Sequence, residues 1–139
     1  MNRSFLRFAR PIATLVALAL ATTAADCSDP TSPDNTPGPI VTLSAPAANA
    51  AFPGANGEAK FENEGGEREL EIEVEDVPAG TELVFYLGTV EIARATADSF
   101  GNARINLNSD RGAVVPASVA GQTVTVKTPA GVVVVTGSF

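Results

Sequence analysis

From Glu58 to Glu75 every second residue is Glu or Lys, and the alternation changes parity once, at Gly65-Gly66. A period of two is the signature of a half-buried strand, because successive side chains point to opposite faces. Two glycines accept positive φ freely, so they serve as a two-residue hairpin turn. Pairing across that turn sets Glu64 opposite Glu67, Phe61 opposite Leu70 and Ala59 opposite Ile72, with Val74 continuing the apolar row. A slip of one residue would send that whole row to the wrong face. This segment therefore commits the chain to a sheet with one apolar face and one acidic face.

The acidic face carries Glu58, Lys60, Glu62, Glu64, Glu67, Glu69, Glu71, Glu73 and Glu75. In this register Glu62 opposes Glu69 and Glu58 opposes Glu73, and only Lys60 beside Glu71 relieves the row. Like charges opposed on a sheet cost roughly 0.2–1 kcal/mol each. Such a face must be wet. Plain solvation accounts for it; Glu58, Glu62, Glu69, Glu71, Glu73 and Glu75 are also the candidate surface for loosely held divalent cations or for a cationic protein or surface partner.

The rest of the chain after residue 39 has the same grain. Gly, Pro, Asn and Asp break short alternating runs, which places strands near 40–44, 57–64, 67–76, 82–87, 90–96, 102–108, 122–127 and 132–138. Gly88-Thr89 joins the fourth and fifth, pairing Phe85 with Ile92 and Leu87 with Val90; Gly at the first turn position suits type II′. Val132 to Val135 is apolar on both faces, as a central strand is. The expected core holds Phe61, Leu70, Ile72, Val74, Phe85, Ile92, Ile105, Leu107, Val124 and Val126. The expected fold is a single all-β domain over 40–139, an antiparallel sandwich (immunoglobulin-like in class) or a small barrel of seven or eight strands. The strands are mostly shorter than the roughly 9–11 residues that a membrane-spanning strand needs.

The first 25 residues read differently. Arg3, Arg7 and Arg10 precede an apolar run from Ile12 to Ala21, followed by small residues to Ala25. The run is shorter than the roughly 20 residues of a membrane helix, and the order is that of a secretory signal peptide. Residues 26–39 then form a Pro/Ser/Asp tract, expected to be a flexible, disordered linker. Thr23-Ala24-Ala25 allows cleavage before Asp26. Ala24-Ala25-Asp26-Cys27 also resembles a bacterial lipobox, although that pattern has Leu at the position of Ala24 and a small residue at that of Asp26. Cys27, the single cysteine of the chain, is the candidate lipidation site, and its modification would anchor the protein to a membrane.

Composition narrows the chemistry. Export would remove three of the nine basic residues and leave 15 or 16 acidic ones, as the cut falls after or before Asp26, for a net charge of about −10. That balance opposes binding to nucleic acid. Without His, the chain lacks Ser-His-Asp and Cys-His machinery and His-ligated zinc. Carboxylate pairs abound, but on one exposed face, where nothing tunes their pKa values apart. No catalytic residue is expected. Asp98, Asn102, Asn108 and Asp110 are oxygen donors in or near loops and could hold Ca2+ weakly; they lack dedicated spacing, and turn formation by Asx side chains explains them as well. No other cofactor is expected. Phe100, in the turn Asp98-Ser99-Phe100-Gly101, either folds back over the core edge or contacts a partner.

The order of Gly57-Glu58-Ala59-Lys60-Phe61-Glu62, Glu71-Ile72-Glu73-Val74-Glu75-Asp76-Val77-Pro78-Ala79-Gly80, the Gly88 turn, Gly121-Gln122-Thr123-Val124-Thr125-Val126 and closing Gly137-Ser138-Phe139 resembles a β domain of exported bacterial proteins and predicted lipoproteins of unknown function. The resemblance spans about residues 57–139 and brings no catalytic residues to carry over. Two roles fit the chain: a tethered binding or scaffolding module, or a carrier of a small apolar ligand held between its sheets.

Overall fold

The computed structural model describes residues 37–47 and 51–139. The leader at 1–25, Cys27 and most of the linker at 26–39 lie outside the described residues. Eight strands follow in chain order: β1 (Ile40–Ser44), β2 (Asn56–Glu64), β3 (Glu67–Glu75), β4 (Glu82–Leu87), β5 (Val90–Thr96), β6 (Ala103–Asn108), β7 (Thr123–Lys127) and β8 (Val133–Ser138). A single 3-10 turn, Ser109–Arg111, follows β6, and no α-helix occurs among the described residues. All eight strands belong to one antiparallel sheet in the order β5-β4-β7-β8-β1-β2-β3-β6. The sheet curls into a nearly closed barrel whose two edges, β5 and β6, come within 8 Å between Cα atoms without a backbone ladder.

The β2–β3 hairpin has the register that the alternation requires, from Asn56↔Glu75 to Glu64↔Glu67. Gly65 and Gly66 both have positive φ, 57° and 96°. This is the type I′ geometry whose twist matches that of the strands it joins. At Gly88-Thr89 only Gly88 is positive, at 59°, as a type II′ turn demands. Strand β3 stops at Glu75 because Asp76 adopts φ 59°, the one positive value outside glycine among the described residues.

The β4–β5 register departs from expectation. Leu87 does pair with Val90, but Phe85 faces Ala93, because a β-bulge between Phe85 and Tyr86 leaves Ile92 without an opposite number. A bulge inserts one residue and restarts the alternation, and no composition signal marks it in Val90-Glu91-Ile92-Ala93.

The barrel interior is packed by Leu43, Phe61, Leu70, Ile72, Val74, Leu83, Phe85, Ile105, Val124, Val126, Val134 and Val135, all buried. Two expected core residues, Ile92 and Leu107, are only partly buried. Both stand on the edge strands, where no further strand covers them. β8 is central, between β7 and β1, as its double-sided apolar run requires. Val132 is left out of it, 43% exposed in the preceding turn.

The antiparallel registers collect the Gly65-Gly66 and Gly88-Thr89 turns, the 109–122 loop and Phe139 at one end, here called upper. The 76–81, 97–102 and 128–132 loops gather at the lower end. Val115 and Val119, from the long 109–122 loop, are buried over the upper end of the core. β1 and β8 meet through a single register pair, Ser44↔Thr136. A Cβ on Gly137 would lie 2.6 Å from the Thr42 carbonyl oxygen and 2.8 Å from side-chain atoms of Leu43 and Val41, so only glycine lets β8 approach β1 there.

Candidate functional site

The outer face of β2 and β3 is the candidate site. Its width is set by β6, which pairs with β3 through Glu73↔Arg104, Glu71↔Asn106 and Glu69↔Asn108. On the other side β1 adds Thr42 opposite Glu58. The acidic face thus runs across four strands, and β6 brings donors that the hairpin register alone does not reveal.

Lys60 was expected to be the sole relief of the row, through Glu71. Instead its Nζ lies 2.6 Å from Glu62 Oε1 on its own strand. That contact, chiefly its hydrogen bond, raises the Lys60 pKa above the ordinary value, with Glu71 and Glu69 adding smaller attractions. Glu71 is paired with Arg104. Asn106 Nδ2 donates to Glu69, and Asn108 Nδ2 donates to Glu67 at 2.6 Å. Amides and one guanidinium from β6 therefore satisfy the carboxylates of β3 on the upper two thirds of the face.

The lower third differs. Glu58 faces Glu73 directly, and neither has an ion pair or side-chain hydrogen bond among the described residues. With Glu75, Asn56, Gly57 and Thr42 they line an open depression of about 280 Å³. Gly57 lets β2 approach β3 closely there, since a Cβ would sit 2.2 Å from the Glu73 carbonyl oxygen. A second, smaller depression of about 110 Å³ lies between Glu62, Glu64, Glu67 and Glu69.

The four loop oxygen donors do not converge. Asp98 and Asn102 close the β5–β6 turn, while Asn108 and Asp110 stand at the far end of β6, roughly 20 Å away at about 3.3 Å per residue. Asp98 Oδ1 accepts from the amides of Phe100 (2.8 Å) and Asn102 (3.0 Å). Asn108 is buried, and its Oδ1 accepts from the amides of Asp110 (2.9 Å) and Arg111 (3.3 Å), capping the 3-10 turn. Among the described residues no group of three or more Cys, Asp or Glu is arranged to hold a metal ion.

Two apolar depressions open at the upper end. One, of about 380 Å³, lies between Pro39, Phe61, Asn63, Ala117, Ser118, Val119, Ala120 and Phe139. The other, of about 200 Å³, is lined by Leu87, Val90, Ile92, Val114, Pro116 and Gln122. On the opposite half of the barrel Lys127 sits 5.1 Å from the centre of the Tyr86 ring, within cation–π range, and Arg94 pairs with Glu91 and Glu82. The acidic face thus contrasts with a neutral one behind it. Phe52 packs partly buried against the core, whereas Phe100 stands 86% exposed and does not fold back over the core edge. No family model matches the chain, and no curated protein matches it.

Proposed function

We propose that this protein is an exported, non-catalytic β module of the bacterial envelope, tethered through Cys27, that binds or scaffolds a cationic partner on the outer face of β2 and β3. The observation that carries the reading is the uncompensated pair Glu58 and Glu73, placed directly opposite one another beside Glu75. Opposed carboxylates weaken a sheet, so a face that retains them is accounted for if a positive partner supplies the missing charge. The leader order of residues 1–25 and the linker that follows support export and display. The acids lie on an exposed face rather than in a closed cleft, which supports a binding role over catalysis.

The test has two arms. Mass spectrometry of the native protein should find a mature chain starting at Asp26, or at Cys27 carrying a lipid; an intact Met1 or a cytoplasmic location removes the export reading. In envelope extract, a defined partner should bind the native chain and be lost with the Glu58→Lys/Glu73→Lys double variant. Retention of every partner by that variant removes the acidic face as the binding surface.

A further inference from the structure

Phe100 is the most exposed aromatic side chain described, at 86%. The turn that carries it does not need it. Asp98 N donates to Asn102 O at 2.8 Å and Gly101 N to Asp98 O at 3.1 Å, while Asp98 Oδ1 takes the amides of residues 100 and 102. Gly101 has φ 86°, and a Cβ there would lie 2.5 Å from the Val77 carbonyl oxygen. This is a three-residue turn closed by a left-handed glycine. Its demands fall on positions 98 and 101, and position 100 has ordinary φ with an outward side chain.

We propose that Phe100 is the anchor of a protein contact whose partner offers an apolar pocket rimmed by Lys or Arg. A large aromatic side chain on a turn already held by its own hydrogen bonds loses little freedom on binding, and buried aromatics are the usual energetic centres of interfaces. The rim decides the partner's chemistry. The two loops that pack together here, residues 76–81 and 97–102, carry Asp76 and Asp98 and no Lys or Arg, with Glu75 beside them; Glu82, at the start of β4, is already paired with Arg94. The two loops are joined by Val77 N donating to Gly101 O and Gly80 N to Ala97 O. Complementary charge steers such an encounter and rejects partners of the same sign. An anionic bilayer surface is repelled by this rim, and a second copy of the chain brings the same negative charge. The inference rests on the proposed binding of a cationic partner and names the point of contact.

The test is an NMR titration of the 15N-labelled protein with a synthetic 14-residue amphipathic peptide of Leu and Lys. Its Leu/Glu counterpart and phosphatidylglycerol vesicles serve as controls. The Leu/Lys peptide should shift the amides of residues 97–102 and 75–82, and Phe100→Ser should raise its Kd at least tenfold. Unchanged exchange protection of the Val77 and Gly101 amides, which donate to Gly101 O and Asp98 O, would report an intact turn, and Phe100→Leu should recover part of the affinity. Shifts confined to the β2–β3 face, unaltered by Phe100→Ser, overturn this inference and leave the acidic-face reading standing. No shift anywhere overturns both. Binding to the vesicles through Phe100, or concentration-dependent shifts without peptide, also overturns it, in favour of a membrane or of a second copy.

Discussion

Arg104 stands opposite Glu73 on the β3–β6 ladder, yet its guanidinium pairs with Glu71 one row further up. The diagonal choice leaves Glu73 facing Glu58 across the hairpin and divides the acidic face into a compensated upper part and an uncompensated lower part. Reach explains the choice: long side chains contact diagonal neighbours on a sheet as readily as direct ones.

Arg104→Gln removes the one guanidinium on this face. Because Arg104 is more than half exposed, the loss should stay at about 0.2–1 kcal/mol in urea unfolding. The melting temperature should also become more salt-dependent than that of the native chain. A variant equal to the native chain in both respects would mean that the pair contributes nothing.

Repulsion between Glu58 and Glu73 should be relieved by screening. The Debye length falls from about 30 Å at 0.01 M salt to about 10 Å at 0.1 M. A rise in melting temperature is expected over that range, with a further rise at millimolar Ca2+ if ions bridge the pair. Glu58→Lys should stabilise the protein by about 0.2–1 kcal/mol, since it turns an opposed like pair into an opposite one. The hairpin register alone makes Glu69→Lys an equal choice. The structure separates the two, because Glu69 accepts from Asn106 and its opposite, Glu62, is already held by Lys60. Equal stabilisation by the two variants would contradict this division of the face.

Glu91 titrates below the ordinary Glu value because Arg94 hydrogen-bonds its carboxylate, with Nε to Oε1 at 2.8 Å and Nη2 to Oε2 at 3.1 Å. A lowered folded pKa means that the contribution to stability is present above the ordinary value of 4.5 and is lost as the pH falls through the lowered one. Carboxyl-detected NMR should place Glu91 below the ordinary glutamate value. Arg94→Ala should return it to the ordinary range, and no movement in that variant would dismiss the pair as the cause.

The β5–β6 turn should be sensitive at two positions. Asp98→Ala removes the carboxylate oxygen that accepts two amide hydrogen bonds and should cost about 1–2 kcal/mol at a net value near 1 kcal/mol per bond. Gly101→Ala adds left-handed strain to a backbone clash with Val77 and should cost about 1–3 kcal/mol or more. Thermal or urea unfolding reads both. Phe100→Ser, by contrast, should leave stability within about 0.5 kcal/mol, as surface substitutions do.

Local periodicity alone determined the eight strands, the Gly65-Gly66 and Gly88-Thr89 turns, the β2–β3 register and most of the core. In each case the information lies within a few residues: alternation decides which face a side chain takes, and glycine decides where the chain can reverse. What the tertiary structure decided is everything that depends on which strand lies beside which. The strand order places β6 against β3, so Arg104, Asn106 and Asn108 reach carboxylates 33 to 41 positions away in the chain. It leaves β5 and β6 as edges, so Ile92 and Leu107 lose the cover their apolar character led one to expect. It also folds Val115 and Val119 over the upper end of the barrel from a loop without periodicity. Neighbour strands are chosen by closure of the whole core, a property no short window of residues contains.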